Sequence, residues 1–461
     1  MTPEFDAAAF FQEATGENHQ TMDQDENVER NRILSCIRTY CQQRYPLKTS
    51  SQLPLSYAGR VFDADEVVSL VDCALEFWLT SGRYTEQFEN GLARFLGVPY
   101  CCFVNSGSAA NLLAFMALTA PELEERAIRR GDEVITAACG FPTTVAPIVQ
   151  YGAVPVFVDV KLPSCNIDAD QLEAALSPRT KAVMVAHTLG NPFDLAKVKA
   201  FCDRHGLWLV EDNCDALGAE VQIDGMWKKT GTVGDIGTSS FYPAHHITTG
   251  EGGAVYTKDP KLHTIIRSLR DWGRACTCPS GHDNTCGHRF DGQFGTLPQG
   301  YDHKYVYARF GYNLKATDMQ AAIGVAQLKK LPNFIERRSH NFRLLKDHLA
   351  DLTQDLILPE SSPQARPSWF GFPITCVHPD LRDKLVRTLE DAGIQTRMLF
   401  AGNLTRHPCC TGLEQGAFRV AAPLEQTDRI VADTFWVGVY PGLSDENIEF
   451  MARQIRKAVK Q

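Results

Sequence analysis

Three short stretches and one set of cysteines carry the residues of this chain that are able to do chemistry. Asn105–Ser108 (NSGS) reads as a turn from a strand into a helix. Backbone N–H groups and a hydroxyl at a helix N-terminus suit a phosphate, because the dipole and the unpaired donors favour anionic oxygens; the alternative is an ordinary cap. Glu211-Asp212 closes an apolar run. A carboxylate there can pair with a protonated pyridine nitrogen and keep that ring electron-withdrawing, or it can cap the next turn. The third stretch, Ser239–Gly253 (SSFYPAHHITTGEGG), places Ser240, Tyr242 and His245 ahead of a glycine-rich turn. The cysteines are Cys276, Cys278 and Cys286 in a polar, turn-rich run (RACTCPSGHDNTC), with Cys214 two residues after Asp212. Four thiolates suit a [2Fe–2S] cluster. They equally suit tetrahedral zinc, where His282 or His288 can replace one ligand, and reduced thiols are the third reading.

The elements that must position these residues follow an α/β grammar from about residue 60. YCCFV, DEVITA, VPVFVDV, KAVMVA and LWLVED are short, apolar runs bounded by turn formers. Such runs are strands of a parallel sheet covered on both faces. The segments between them, such as AKVKAFCDRHG, have helical spacing. In open sheets of this kind ligands bind at the carboxyl ends of the strands, which is where Ser108, Phe141 and Asp212 fall. Beyond about residue 330 an amphipathic stretch precedes isolated strands (SWFGFPITCV, FWVGVYPGL) and two helices, the last opening at Ser444 with acidic residues in its first turn. The expected organisation is a leader and short helix over 1–50, a large α/β domain over 51–330 and a smaller C-terminal α+β domain over 331–461.

The bulk numbers exclude several classes. The 461 residues are 44% hydrophobic and 22% charged, ordinary for a chain that buries a sizeable core. A net charge of −9 without a long basic run argues against nucleic acid as a partner. The N-terminal 30 residues have neither the basic region nor the apolar stretch of a signal peptide. No run approaches the ~20 apolar residues that span a bilayer. The expectation is a cytoplasmic protein without membrane contact. Most of the fifteen cysteines then stay reduced, and spaced ones point to metal before disulfides.

The run Ser239–Gly253, with Phe310–Asn313 (FGYN) and Asp318–Ala322 (DMQAA), resembles the nucleotide-sugar aminotransferase family of fold-type I pyridoxal-phosphate (PLP) enzymes over roughly residues 55–460. The resemblance implies a large domain with a mainly parallel sheet between helical layers. It implies that Gly107, Ser108 and Ser240 hold the cofactor phosphate, that Phe141 lies on the pyridine ring, and that Asp212 pairs with the ring nitrogen. Asn313 would reach the phosphate of a neighbouring subunit, hence a homodimer. One position departs from the family: His245 stands where the relatives carry the cofactor-binding lysine. Tyr242 replaces a preferred His, and Asp215 a preferred His or Gln. Imidazole cannot form the internal Schiff base, but it can still move a proton at neutral pH. With the cofactor as pyridoxamine 5′-phosphate (PMP) condensed to a keto-sugar, proton removal by His245 would expel the neighbouring hydroxyl. Tyr242 and Asp215 would orient groups or stabilise intermediates. Lys228, Lys229, Lys258 and Lys315 lie off the motif.

Within that family, EDNCDALGA, FYPAHHITTGEGG, DWGRACTCPSGHDNTCG, GYDHKY and LFAGNLTRHP are similar to the 3-dehydrases of nucleotide-linked 4-keto-6-deoxy sugars, such as those acting on CDP-4-keto-6-deoxyglucose. That group pairs untethered PMP with a [2Fe–2S] cluster on four cysteines, here matching Cys214, Cys276, Cys278 and Cys286. The gap after Cys214 is about four residues longer than usual, around Ile223–Thr230, which a surface loop absorbs at little cost in closure entropy. The group also implies a separate NADH-dependent flavin/iron–sulfur reductase as electron donor, and no Gly-x-Gly-x-x-Gly fingerprint follows a strand here. The expected activity is removal of the 3-hydroxyl from a CDP- or TDP-linked sugar in deoxysugar biosynthesis for lipopolysaccharide or a glycosylated metabolite. Arg406 is a candidate for the nucleotide pyrophosphate. The rival readings are a PLP-dependent aminotransferase using a lysine outside the motif and a non-catalytic sugar-binding protein with a zinc loop.

Overall fold

The computed structural model describes residues 24–45 and 53–460. The polar leader up to residue 23 and Pro46 lie outside the described residues; the short helix expected nearby spans Gln24–Arg44.

An eight-stranded sheet frames the large part of the molecule. Its order is Tyr100–Val104, Gly253–Thr257, Ile236–Ser240, Trp208–Asp212, Thr180–Ala186, Glu133–Ala137, Val154–Val158, Arg419–Val420. From Ile236–Ser240 to Arg419–Val420 every pairing is parallel; Gly253–Thr257 runs antiparallel to both neighbours. Alternation along the strands divides the core between the two faces. Val134, Met184 and Val210 pack in one apolar cluster with Leu113 and Ile265, while their chain neighbours Ile135, Val183 and Leu209 pack in another with Phe201. Side chains of successive strand residues point to opposite faces, so both faces are buried and helices cover each. Burying each such aliphatic side chain contributes roughly 1.5–3 kcal/mol relative to leaving it exposed.

The five apolar runs of the sequence are five of these strands. Two others, Ile236–Ser240 and Gly253–Thr257, flank the Ser239–Gly253 motif and were not foreseen. The first reads IGTSS, with little of the apolar character that marks a buried strand. Its Gly237 is required by packing: a Cβ there would lie 2.1 Å from the Gly231 carbonyl oxygen and 2.3 Å from the Tyr256 ring. The extra residues around Ile223–Thr230 form a hairpin of Glu220–Ile223 with Met226–Lys229. Asp224 and Gly225 turn it with φ of 52° and 78°, the left-handed pair that Asp-Gly supplies in two-residue hairpins.

The helix Asp318–Leu349 runs unbroken through position 330 and leads into the C-terminal unit. There the strands Leu356–Ile357, Gly371–Cys376, Thr434–Gly438 and Thr396–Met398 form an antiparallel sheet. The helices Leu381–Asp391 and Asp445–Lys460 join it in one apolar core with Leu385, Phe435 and Ile455. Ser444 caps the last helix as expected, its hydroxyl accepting the Asn447 N–H at 3.3 Å. This is the α/β frame with a smaller α+β unit that the sequence implied. No helix among the described residues is long and apolar enough to cross a membrane.

Candidate active site

A cavity of about 320 Å³ opens at the carboxyl ends of the parallel strands. It gathers Gly107, Ser108, Phe141, Asp212 and Ser240 with Tyr242, His245 and Asp215, eight of the nine residues proposed above as catalytic or cofactor-binding. The C-terminal unit closes it with Phe370, Arg397 and Trp436.

Gly107 opens the helix Gly107–Ala117, capped by the Ser106 hydroxyl accepting the Ala109 N–H at 3.0 Å. A Cβ on Gly107 would lie 2.4 Å from Ser240 Cβ and 2.7 Å from its hydroxyl oxygen. The missing side chain lets the end of the strand Ile236–Ser240 approach the helix N-terminus, making a cradle of N–H groups and hydroxyls fit for a phosphate. Ser108 is exposed and faces the cavity.

Glu211 and Asp212 are split by the pleat. Glu211 is fully buried and accepts N–H groups from Gly231, Val233 and Gly234 at 2.6–2.9 Å, a structural role. Asp212 turns toward the cavity, also buried. Its Oδ2 accepts from Asn111 Nδ2 and Thr144 Oγ1, each at 2.7 Å, and its Oδ1 accepts the Cys214 N–H at 3.2 Å. Among the described residues no Lys, Arg or His forms an ion pair with this carboxylate. A buried charge without a counter-ion is costly, so a cationic group entering the cavity would suit this carboxylate. Phe141 is 52% exposed where the strand Glu133–Ala137 gives way to the next helix, its ring perpendicular to Phe400 at 6.0 Å.

His245 is gripped from several sides. Its ring stacks on Phe370 at 5.4 Å, and Tyr242 stands edge-on at 6.5 Å. Its carbonyl accepts from Arg338 Nη2 at 3.2 Å, and its N–H donates to the Tyr242 carbonyl at 2.9 Å. Nε2 lies 3.6 Å from Asp215 Oδ1, and Nδ1 is buried without a partner. Asp215 Oδ2 accepts the Leu189 N–H at 3.3 Å. Burial raises the Asp215 carboxyl above its ordinary range, against the pull of His245. Arg338, itself buried, also donates to the Phe370 carbonyl at 3.3 Å, and burial lowers it to about 9. None of the four lysines near the motif lines the cavity: Lys229 pairs with Glu220, Lys258 donates to the Thr232 carbonyl, and Lys315 pairs with Asp271.

Asn313 is exposed and does not line this cavity; it is close in sequence to the fully exposed Phe310. Arg406 is also elsewhere, paired with Asp428 at 3.0 Å. The guanidinium at the cavity is Arg397, held over the Tyr57 ring at 3.9 Å. The sequence carried no signal for Arg397, Phe370 or Arg338, which come from distant segments and are brought in only by the packing of the C-terminal unit.

The cysteines fall in two places. Sulfur atoms of Cys276 and Cys278 gather with a ring nitrogen of His303, all within 4.8 Å of one another. Cys286 Sγ stands 3.7 Å from His303 Nε2. The Thr285 hydroxyl, with the Cys286 N–H and the neighbouring thiols, brings the Cys278 thiol down to about 6. Cys214 instead lines the cofactor cavity, where burial and Asp212 push its thiol well up. His288 pairs with Asp291. His303 was missed because it lies 17 residues beyond Cys286.

A mainly parallel sheet, a phosphate cradle at a helix N-terminus and a buried carboxylate at a strand end define a fold-type I PLP enzyme. The chain belongs to the DegT/DnrJ/EryC1/StrS aminotransferase family, which matches residues 61–456. It is 52% identical over 402 residues to the lipopolysaccharide biosynthesis protein RfbH of Salmonella typhimurium, covering 87% of this chain and 90% of that one. It is 49% identical over 434 residues to the dTDP-4-dehydro-2,6-dideoxy-D-glucose 3-dehydratase of Saccharopolyspora spinosa, covering 93% and 92%. Among solved structures it is similar to the Escherichia coli GDP-4-keto-6-deoxy-D-mannose-3-dehydratase with bound hydrated PLP. There the TM-score is 0.78 and the identity 28%, over 88% of this chain and all of the other.

Proposed function

We propose that this protein removes the 3-hydroxyl of a nucleotide-linked 4-keto-6-deoxyhexose, using untethered PMP and a [2Fe–2S] cluster, in cytoplasmic deoxysugar biosynthesis. The observation that carries the reading is His245: an imidazole backed by Asp215 occupies the wall of a cavity that, among the described residues, no lysine lines. Two relatives named as 3-dehydratases point the same way.

The residues present fit the cofactor. Gly107, Ser108 and Ser240 would hold its phosphate, Phe141 would cover its ring, and Asp212 would keep its ring nitrogen protonated. When bound, PMP supplies the amine that condenses with the 4-keto carbon and a ring that takes up an electron pair. His245 would take the proton from the cofactor carbon that bears the amine, and Asp215 would stabilise the imidazolium so formed. The stack on Phe370 and the Arg338 hydrogen bond to its carbonyl fix the imidazole, so little is lost to reorientation. Tyr242, edge-on to that ring and half exposed at the cavity, is placed to orient the departing hydroxyl. Arg397 at the cavity takes the substrate's diphosphate, as a guanidinium does in paired hydrogen bonds.

The thiols of Cys276, Cys278 and Cys286 would hold the cluster, with Cys214 as the fourth ligand that the resemblance implies. A [2Fe–2S] centre passes electrons one at a time, and two are needed to complete the deoxygenation. A separate NADH-dependent flavin/iron–sulfur reductase supplies them. Asn313, exposed and away from its own cavity, serves the cofactor phosphate of a second copy in a homodimer.

The experiment is anaerobic purification, followed by incubation with PMP, a reductase and CDP- or TDP-linked 4-keto-6-deoxy sugars. A 3-deoxy product is expected. An amino sugar formed from an amino donor, with a lysine labelled by PLP and borohydride, would return the chain to the aminotransferases.

A further inference from the structure

We propose that Asn111 and Thr238 are a buried positioning pair for the cofactor: Thr238 locks the Asn111 amide, and the amide fixes which oxygen of Asp212 is left for the ring nitrogen. The inference rests on the reading that PMP lies here with its ring nitrogen on Asp212.

Three observations carry it. The first is a directed chain of hydrogen bonds. The Thr238 hydroxyl donates to Asn111 Oδ1 at 2.7 Å, and Asn111 Nδ2 donates to Asp212 Oδ2 at 2.7 Å. All three side chains are buried. An ionised carboxylate only accepts, so the amide must turn its NH₂ to Asp212 and its carbonyl to Thr238. A reversed amide would set its oxygen against the carboxylate. By donating to the amide carbonyl, the Thr238 hydroxyl holds the orientation that Asp212 needs.

The second is where the two residues stand. Asn111 is four residues beyond Gly107 on the helix Gly107–Ala117, hence on the same face. Thr238 is two residues before Ser240 on the strand Ile236–Ser240, hence on the same face of the sheet. Gly107 meets Ser240 at one point, and Asn111 meets Thr238 one turn further on. The helix and strand that build the phosphate cradle are thus pinned together beside Asp212, which pairs with Thr238 in the parallel register of the sheet. That arrangement sets the span between the cradle and the carboxylate, the two ends by which the cofactor would be held.

The third is how the carboxylate's acceptor positions are shared. Each carboxylate oxygen has about two. Oδ2 fills both, with Asn111 and with Thr144 from the helix Pro142–Tyr151. Oδ1 accepts the Cys214 N–H at a longer 3.2 Å, so a further donor is better received there. Packing alone does not require an amide at position 111. Ala110, Leu113 and Ala114 bury the same helix with apolar side chains.

The test measures binding to the full-length protein of PMP and of 1-deaza-PMP, in which carbon replaces the ring nitrogen. Wild-type protein is expected to prefer PMP. Asn111→Leu, of similar size, is expected to bind PMP roughly 10-fold more weakly, as for the loss of one hydrogen bond to a charged group. It is expected to bind the deaza analogue as wild type does. Thr238→Val is expected to lose part of the preference, and Thr238→Ser to retain it. With ring-¹⁵N-labelled PMP, the nitrogen resonance is expected to move in Asn111→Leu away from its protonated position. Melting curves of the ligand-free proteins report the fold, and Thr238→Val carries the test if Asn111→Leu does not fold. Equal losses for both ligands, or a full preference for PMP in Asn111→Leu, overturn the inference while leaving the ring on Asp212. Wild-type protein that binds both ligands alike overturns that placement, and the inference with it.

Discussion

His245 Nε2 faces Asp215 Oδ1 across 3.6 Å at the wall of the cavity. On the proposed function this pairing is an acid–base device: the carboxylate would stabilise the imidazolium that forms when His245 takes a proton. His245→Asn keeps the size of the side chain and removes the base. General acid–base groups contribute about 10²–10⁴-fold, so single-turnover dehydration should slow by that order while PMP remains bound through Asp212 and the phosphate cradle. A variant dehydrating at the wild-type rate would remove His245 from the chemistry.

The same pair predicts a trade of stability for activity. Burial raises the Asp215 carboxyl in the folded state. For a group raised in this direction, the stabilising contribution is full below the unfolded value, about 3.9 for Asp, and is lost as pH climbs through the folded value. At neutral pH the ionised carboxylate is therefore a cost. Asp215→Asn should raise Tm at neutral pH, with the gain shrinking toward acid, and should lose activity. Thermal melts of both proteins across pH 3–8 check the sign. A lower Tm for the variant at neutral pH would mean that its bonds to His245 and Leu189 outweigh desolvation.

How much of this was legible in the sequence follows from where each signal resides. Asp212 and Gly107 were readable because strand–turn–helix grammar puts functional residues at strand ends, and that grammar is local. The strand Ile236–Ser240 was not, because close packing against Gly231 and Tyr256 demanded glycine where a buried strand normally shows branched apolar residues. Phe370 and Arg397 reach the cavity, and Arg338 the His245 carbonyl, by tertiary packing alone, which leaves no periodic trace. The cysteine run pointed to a metal site, and spacing counts only sulfur. His303 is brought to it by hydrogen bonds from Ala275 and to Arg289, invisible in composition.

Asp212 accepts from two side-chain donors and the Cys214 N–H, and among the described residues it pairs with no cation. Removing its carboxylate in Asp212→Ala strands Asn111 Nδ2 and Thr144 Oγ1, and each unsatisfied buried donor costs about 1–3 kcal/mol. Asp212→Asn retains a carbonyl oxygen that can still accept from one of them, but not the charge. A hydrogen bond to a charged group contributes about 1.5–3 kcal/mol, so PMP should bind roughly 10–100-fold more weakly to Asp212→Asn, with only a small change in Tm. Equilibrium dialysis against PMP measures the first and calorimetry the second. Unchanged PMP affinity would show that the ring nitrogen finds its partner elsewhere.

Gly107 tests the phosphate cradle by geometry alone. A methyl group there would meet Ser240 Cβ at 2.4 Å, its hydroxyl oxygen at 2.7 Å and its Cα at 3.2 Å. The last contact is backbone, so rotation of the Ser240 side chain cannot relieve the clash; strand and helix end must part. Forced shifts of this kind typically cost about 1–3 kcal/mol, and here they also pull the helix N–H groups away from the Ser240 hydroxyl. Gly107→Ala should therefore lose affinity for PMP more than for pyridoxamine, which has no phosphate. Ser108→Ala removes a hydroxyl without moving the backbone and should weaken PMP binding by roughly tenfold, about the net worth of one hydrogen bond. Titrations of both variants with both ligands separate the effects. Equal losses for the two ligands in Gly107→Ala would mean that the cavity as a whole has collapsed and that the cradle is not the phosphate's seat.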